Sequence, residues 1–188
     1  MGPSGTRPDA DRTRTIYQAP WRVAVVSRTS VRAPLSAIGL GRAAMRALDA
    51  AGAPWPGSVT IVLTDDAELA ELNQEHMGID GPTDVLSFPM LEPEAFPDQH
   101  LGGSSGDATR THRRTHIGDI AISVERAIQQ AVEGRGGHTG DIRWSAADEL
   151  RLLVTHGTLH LCGWDHAEPA DEAAMRALER QLLAVKAT

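Results

Sequence analysis

The sequence predicts an α+β fold, a small mixed sheet of about four strands packed with about five helices, and two patterns carry that reading. Short runs rich in β-branched residues alternate with amphipathic stretches at the start and in the middle of the chain, whereas its end carries helical periodicity only. The third observation is size. At 188 residues, 41% of them hydrophobic, the chain suffices for one well-buried domain and is too short for two.

Residues 1–18, rich in Pro, Gly, Thr and charge, read as a disordered leader, which leaves 19–188 as the domain. Trp21 to Val26 is a short apolar run bounded by polar residues, hence a strand. Pro34 to Ala51 is Ala-rich, with Leu35, Ile38, Ala43, Met45 and Leu48 as the apolar residues of a helix. Val59-Thr-Ile-Val-Leu-Thr64 is the clearest strand, because β-branched side chains suit a pleated, half-buried surface. Asp65 opens a helix as its N-cap, with Glu68 in a capping-box variant, and Gly78 stops it. The turn Asp80-Gly-Pro-Thr83 precedes a strand from Asp84 to Met90.

Residues 92–115 are polar and without periodicity, and such a stretch in a compact domain reads as a flexible hairpin insertion. Ile117 to Val124 alternates Ile120, Ile122 and Val124, a strand with one buried face. Glu125 to Glu133 is a helix stopped by Gly134. Ser145 with Asp148 caps the next helix, whose Leu150, Leu152, Leu153 and Val154 lead directly into two histidines. The last helix runs from about Glu168 to Lys186, and its stripe of Met175, Leu178, Leu182 and Val185 faces a core.

Bulk properties narrow the function. A net charge of −7 argues against generic nucleic-acid binding, so any RNA contact needs a local basic patch such as Arg110 to His116, which includes Arg113 and Arg114. No apolar run reaches the ~18 residues of a membrane span, and the charged N-terminus lacks the apolar core of a secretory signal. Cys162 is the only cysteine, so no intrachain disulfide forms. These features fit a cytoplasmic protein.

The chemistry concentrates in Thr155-His-Gly-Thr-Leu-His-Leu-Cys-Gly-Trp-Asp-His166. On a helix His156 and His160 lie one turn apart on one face, and Gly163 permits the sharp turn that brings His166 back to them. Three imidazoles with one open position are how a protein holds a catalytic zinc, and this helix is zincin-like. A single helical histidine is more often a surface residue; three in the frame H-x-x-x-H-x-x-G-x-x-H are much rarer. Zinc peptidases with this frame carry their general base, a glutamate, directly after the first histidine. Here that position is Gly157.

Three segments together resemble the YbeY-type endoribonucleases of bacterial rRNA maturation. They are Leu72-Asn73 with Asp80-Gly-Pro-Thr-Asp-Val-Leu-Ser-Phe-Pro89; Ile117-Gly-Asp-Ile-Ala-Ile-Ser123 with Ala127, Gln130 and Ala131; and the histidine segment, with Met175 and Glu179 downstream. The resemblance spans roughly residues 20 to 186 and implies a metal-dependent endoribonuclease that prefers single strands. It implies action at the 3′ end of 16S rRNA and in disposal of defective ribosomes, with rRNA, the small ribosomal subunit and its proteins as partners. It also implies zinc, one ion per chain, on His156, His160 and His166. The family often places an arginine near the scissile phosphate where this chain has Met77, which cannot donate to a phosphate oxygen. Arg22, Arg126 and the Arg110–Arg114 cluster are candidate substitutes.

The expected reaction is zinc-assisted phosphodiester hydrolysis, in which the metal lowers the pKa of water from ~16 to about 7. His156 and the carboxylates of Asp84 and Asp165 are the candidate catalytic groups, Asp165 also being placed to orient its neighbouring ligand. Asn73, Ser87, Arg113 and Arg114 are the candidate RNA contacts. Two other readings stand beside this one: a ribosome-associated factor with a structural metal, which Met77 favours, and a zinc peptidase, which Gly157 disfavours. Membranes and DNA are not expected partners.

Overall fold

The computed structural model describes residues 11–97, 110–134, 144–165 and 168–184. In chain order these contain β1 (Arg12–Gln18), β2 (Trp21–Ser27), α1 (Ala37–Ala50), β3 (Trp55–Thr64), α2 (Asp66–Met77), β4 (Val85–Pro89), β5 (Arg110–Ser123), α3 (Val124–Glu133), α4 (Ala146–Leu161) and α5 (Pro169–Ala184). The sheet order is β1-β2-β3-β5-β4. Strands β2, β3 and β5 run parallel, and β1 and β4 flank them antiparallel. The fold is therefore the expected α+β mixed sheet, with five strands among the described residues. No helix among these residues is long and apolar enough to cross a membrane.

The additional strand corrects the leader. Residues 12–18, read as disordered, pair one for one with β2, from Arg12 opposite Ser27 to Gln18 opposite Trp21. Composition hides this strand because it is an edge, mostly exposed, with only Ile16 packed on the core. Residues 92–115 carry regular structure at both ends. A short 3-10 turn forms at Pro93–Ala95 and β5 begins at Arg110, well before Ile117. Residues 98–109, the rest of that expected insertion, lie outside the described residues.

Two layers of helix sandwich the sheet unequally. On one face Val23, Val25, Val59, Ile61, Leu63, Ile120 and Ile122 meet Leu40 and Leu48 of α1 and Leu150, Val154 and Leu159 of α4 in the main core. On the other, α2 places Leu69 and Leu72 on Leu86, Phe88 and Ala121 of β4 and β5. Local chemistry sets the helix ends. The side chains of Ser36, Asp65, Ser123 and Ser145 accept from the backbone N–H groups of Gly39, Glu68, Arg126 and Asp148. Gly78 ends α2 in the left-handed conformation, at φ 69°.

Candidate active site

Helix α4 carries the site because it is pinned at both ends and packed on one face. Ser145 and Asp148 form a full capping box at its start. At its end Gly163 takes φ 79°, and the N–H groups of Gly163 and Trp164 reach back to the carbonyls of His160 and Leu159 at 3.1 Å each. Between them Gly157 faces the sheet. A Cβ added there would lie 2.9 Å from Ile120 Cγ2, 3.1 Å from Ser87 Oγ and 3.2 Å from Val85 Cγ2. Glycine thus lets the helix approach β4 and β5 closely, and a glutamate at 157 would meet the sheet first.

The helix turn places His156 and His160 with ring centroids 4.5 Å apart and planes at 83°, their Nε2 atoms 3.1 Å from each other. His156 Nδ1 donates to Glu179 Oε1 at 2.7 Å, since a carboxylate oxygen can only accept. The neutral tautomer so selected carries its free lone pair on Nε2, aimed at the neighbouring ring. Two imidazole nitrogens on one tetrahedral zinc at ~2.0–2.1 Å stand ~3.3 Å apart, so this donor pair suits a shared ion. Among the described residues no group of three metal-ligating side chains forms. The third expected ligand, His166, lies outside them.

His156 opens onto a cavity of about 530 Å³ also lined by Asp84, Gln130, Glu149, Glu172, Arg176 and Glu179. Asp84 sits at the C-terminal end of β5, its carbonyl accepting from Ser123 N. Its carboxylate receives Val85 N at 2.8 Å on one oxygen and Gln130 Nε2 at 2.9 Å on the other. Glu149 is buried and accepts from the Trp144 indole N–H. Arg176 pairs with Glu172, leaving the cavity predominantly acidic.

A model of the family described as "Endoribonuclease YbeY" matches residues 39–186. The chain belongs to the endoribonuclease YbeY family. Relatives described by that name include those of Roseiflexus castenholzii, 40% identical over 93% of this chain and 93% of that protein, and Symbiobacterium thermophilum, 43% identical over 76% and 81%. A third, from Salinispora tropica, is 44% identical over 75% and 82%. The solution structure of TM1509 from Thermotoga maritima aligns with a TM-score of 0.46 and 22% identity, covering 87% of this chain and 86% of that one.

Within this family member the other candidate residues separate by position. Asp165 is exposed and does not line the cavity that holds Asp84. Asn73 is buried and donates to Gly81 O at 2.8 Å, tying α2 to the turn before β4. Ser87 donates to Gly157 O at 3.1 Å, a strut between β4 and α4. Arg114 donates to Pro20 O and Gly57 O at 2.8 Å each and stacks 5.3 Å over the Tyr17 ring. Arg113 is exposed beside it. Nine strand residues at ~3.3 Å each, about 30 Å, separate Arg114 from the Ser123 end of β5 where Asp84 sits. The structure therefore brings His156 and Asp84 to one cavity and keeps the two arginines away from it.

Met77 is 50% exposed at the last turn of α2, and of its candidate substitutes Arg126 pairs with Asp66 at 3.3 Å. Cys162 is fully buried, and desolvation pushes its thiol up to about 12. Trp164 packs against the main core. Sequence reasoning placed Glu179 and Gln130 only within the resemblance and passed over Glu149. The signal for Glu179 was present: an acid one helical turn after Met175, inside the apolar stripe of α5, is a charge at a core position.

Proposed function

We propose that the chain is a zinc-dependent endoribonuclease that cleaves single-stranded RNA in maturation of the 3′ end of 16S rRNA and in ribosome quality control. The convergence of His156 and His160 at 3.1 Å, one of them held by a buried Glu179 at a cavity mouth, carries the reading. Those two histidines, with His166 as the third ligand, would hold zinc. Zinc there supplies Lewis acidity toward a phosphoryl oxygen and brings the pKa of water to about 7.

The chain's own residues do the rest. Glu179 accepts from His156 Nδ1 and so fixes the ring's orientation and tautomer. Asp84, with one oxygen held by Gln130 and the other by Val85 N, is a fixed carboxylate at the cavity wall and would accept a proton from the attacking water. The acidic lining repels a phosphate unless a cation offsets it, which couples RNA binding to metal binding. The peptidase reading loses support from Gly157, whose Cβ direction is filled by Ile120, Ser87 and Val85. The exposed Met77 favours a second reading, a non-catalytic ribosome-associated factor with a structural metal.

The deciding experiment is cleavage of a precursor RNA covering the 3′ end of 16S rRNA by zinc-loaded protein, with His160→Ala purified alongside. Cleavage by the wild type that disappears in the variant is expected. No cleavage by either, on free RNA and on assembled subunits, would transfer the assignment to the non-catalytic factor.

A further inference from the structure

A second cavity, of about 580 Å³, lies toward the β1 edge of the sheet and is lined by Arg12, Ser27, Arg28, Thr29, Ser30 and Arg32 among others. Its charge contrasts with the chain as a whole. Residues 12–48 contain seven arginines and no acidic residue or lysine, and three of these arginines, Arg12, Arg28 and Arg32, line the cavity. Arg28 is engaged by Glu68 and Asp11, which hold its guanidinium charged and fixed. Arg12 and Arg32 are exposed and have no carboxylate partner among the described residues. Around them stand the hydroxyl side chains of Ser27 and Thr29, donors suited to phosphate oxygens, and that of Ser30, which donates to Asp65.

The cavity's place in the fold relates it to the catalytic one. Arg12 pairs with Ser27, at the C-terminal end of β2, on the side of the sheet that carries Val25 and the main core. Arg28 N bonds Leu63 O near the end of β3, and Asp84 O accepts from Ser123 N at the end of β5. Both cavities thus lie at the C-terminal ends of the parallel strands, where open sheets with helical cover bind ligands. Four strand spacings of ~4.8 Å, about 19 Å, separate β1 from β4 across the sheet. That span equals about six stacked nucleotides at ~3.4 Å each.

We propose that the Arg12–Arg32 cavity anchors the phosphodiester backbone of the RNA strand whose scissile bond lies at the His156 cavity. This rests on the nuclease reading above and adds a remote subsite to it. The division of charge has a physical reason: an acidic catalytic cavity, offset by a single cation, attracts a polyanion weakly. A cationic site some nucleotides away supplies the attraction without adding cations beside the metal.

The test compares zinc-loaded wild type, Arg12→Glu/Arg32→Glu and the charge-keeping Arg12→Lys/Arg32→Lys by fluorescence anisotropy, using a 2′-O-methyl oligonucleotide of about 25 nucleotides, which spans both cavities. The glutamate variant is expected to bind about tenfold more weakly at low salt, with the slope of log K against log salt reduced by ~1.4 for two phosphate contacts. The lysine variant stays near wild type, which separates lost charge from lost fold. Cleavage of a trinucleotide, too short to reach across the ~19 Å between the cavities, keeps its kcat and KM in all three proteins. Wild-type affinity and slope in the glutamate variant overturn the proposal; if an acidic protein partner is then lost from it, the arginines serve protein contact. Equal losses on the short and long oligonucleotides overturn it too, because they place the effect at the catalytic cavity. Arginine-dependent binding by a wild type that cleaves no RNA retains the anchor and refutes the nuclease reading instead.

Discussion

Glu179 shows how one side chain links packing to chemistry. Its carboxylate is buried on the inner stripe of α5 and held at 2.7 Å by His156 Nδ1, so its role is to orient that ring. Glu179→Gln preserves shape and the accepting oxygen while removing the charge. We expect zinc affinity, measured against a competing chelator, to fall ~10–100-fold with the melting temperature nearly unchanged; unchanged affinity would leave Glu179 a packing residue. Gly157 is a second single-residue case. Gly157→Ala improves helix propensity by about 1 kcal/mol. It also puts a methyl group 2.9 Å from Ile120 Cγ2, and overpacking costs ~1–3 kcal/mol. The expected net result is a melting temperature lower by a few degrees in a thermal scan.

At the level of elements, the start of α2 concentrates local stabilisation. Asp65 caps it by accepting from Glu68 N at 3.0 Å, and Asp65→Ala should cost ~1 kcal/mol in denaturant unfolding. Glu68 then binds Arg28 at 2.5 Å, which fastens the helix to the end of β2. Hydrogen bonding to Arg28 is the main cause that holds the Glu68 carboxyl below its usual range, with burial opposing and the Thr64 hydroxyl assisting. A depressed carboxylate stabilises the fold above its unfolded pKa of ~4.3, and that contribution disappears as pH falls through the lower folded value. Glu68→Gln should therefore lower the melting temperature at neutral pH, and the gap to wild type should close as pH drops below ~4. A gap that persists in strong acid would assign the loss to packing.

For the whole molecule, the edge strand β1 is the element whose removal tests the architecture. It covers one side of β2, seats Ile16 against Gly41 of α1, and carries Tyr17 beneath Arg114. Deleting residues 1–18 should lower the melting temperature and promote self-association, because β2 would present an apolar unpaired edge. A truncated protein that melts like the full chain and stays monodisperse in light scattering would show β1 to be dispensable.

Much of this was legible locally. The caps at Asp65 and Ser145, the stops at Gly78 and Gly134, and the apolar runs of β2, β3 and β4 depend on neighbours a few residues away, so spacing alone revealed them. The i, i+4 placement of His156 and His160 is likewise a property of any helix. Three things depended on contacts distant along the chain. β1 is a strand because β2 offers it an edge, whatever its own polarity. Glu179 is a ring-orienting carboxylate because α5 folds back over α4, and Asn73, Ser87 and Arg114 are struts because their partners, Gly81, Gly157, Pro20 and Gly57, arrive from other elements. The sequence by itself determined the family, the helices and the histidine pair, since short-range stereochemistry encodes them. Which polar side chains face the cavity and which brace the scaffold was decided by tertiary structure alone, because hydrogen-bond partners are chosen by proximity in space.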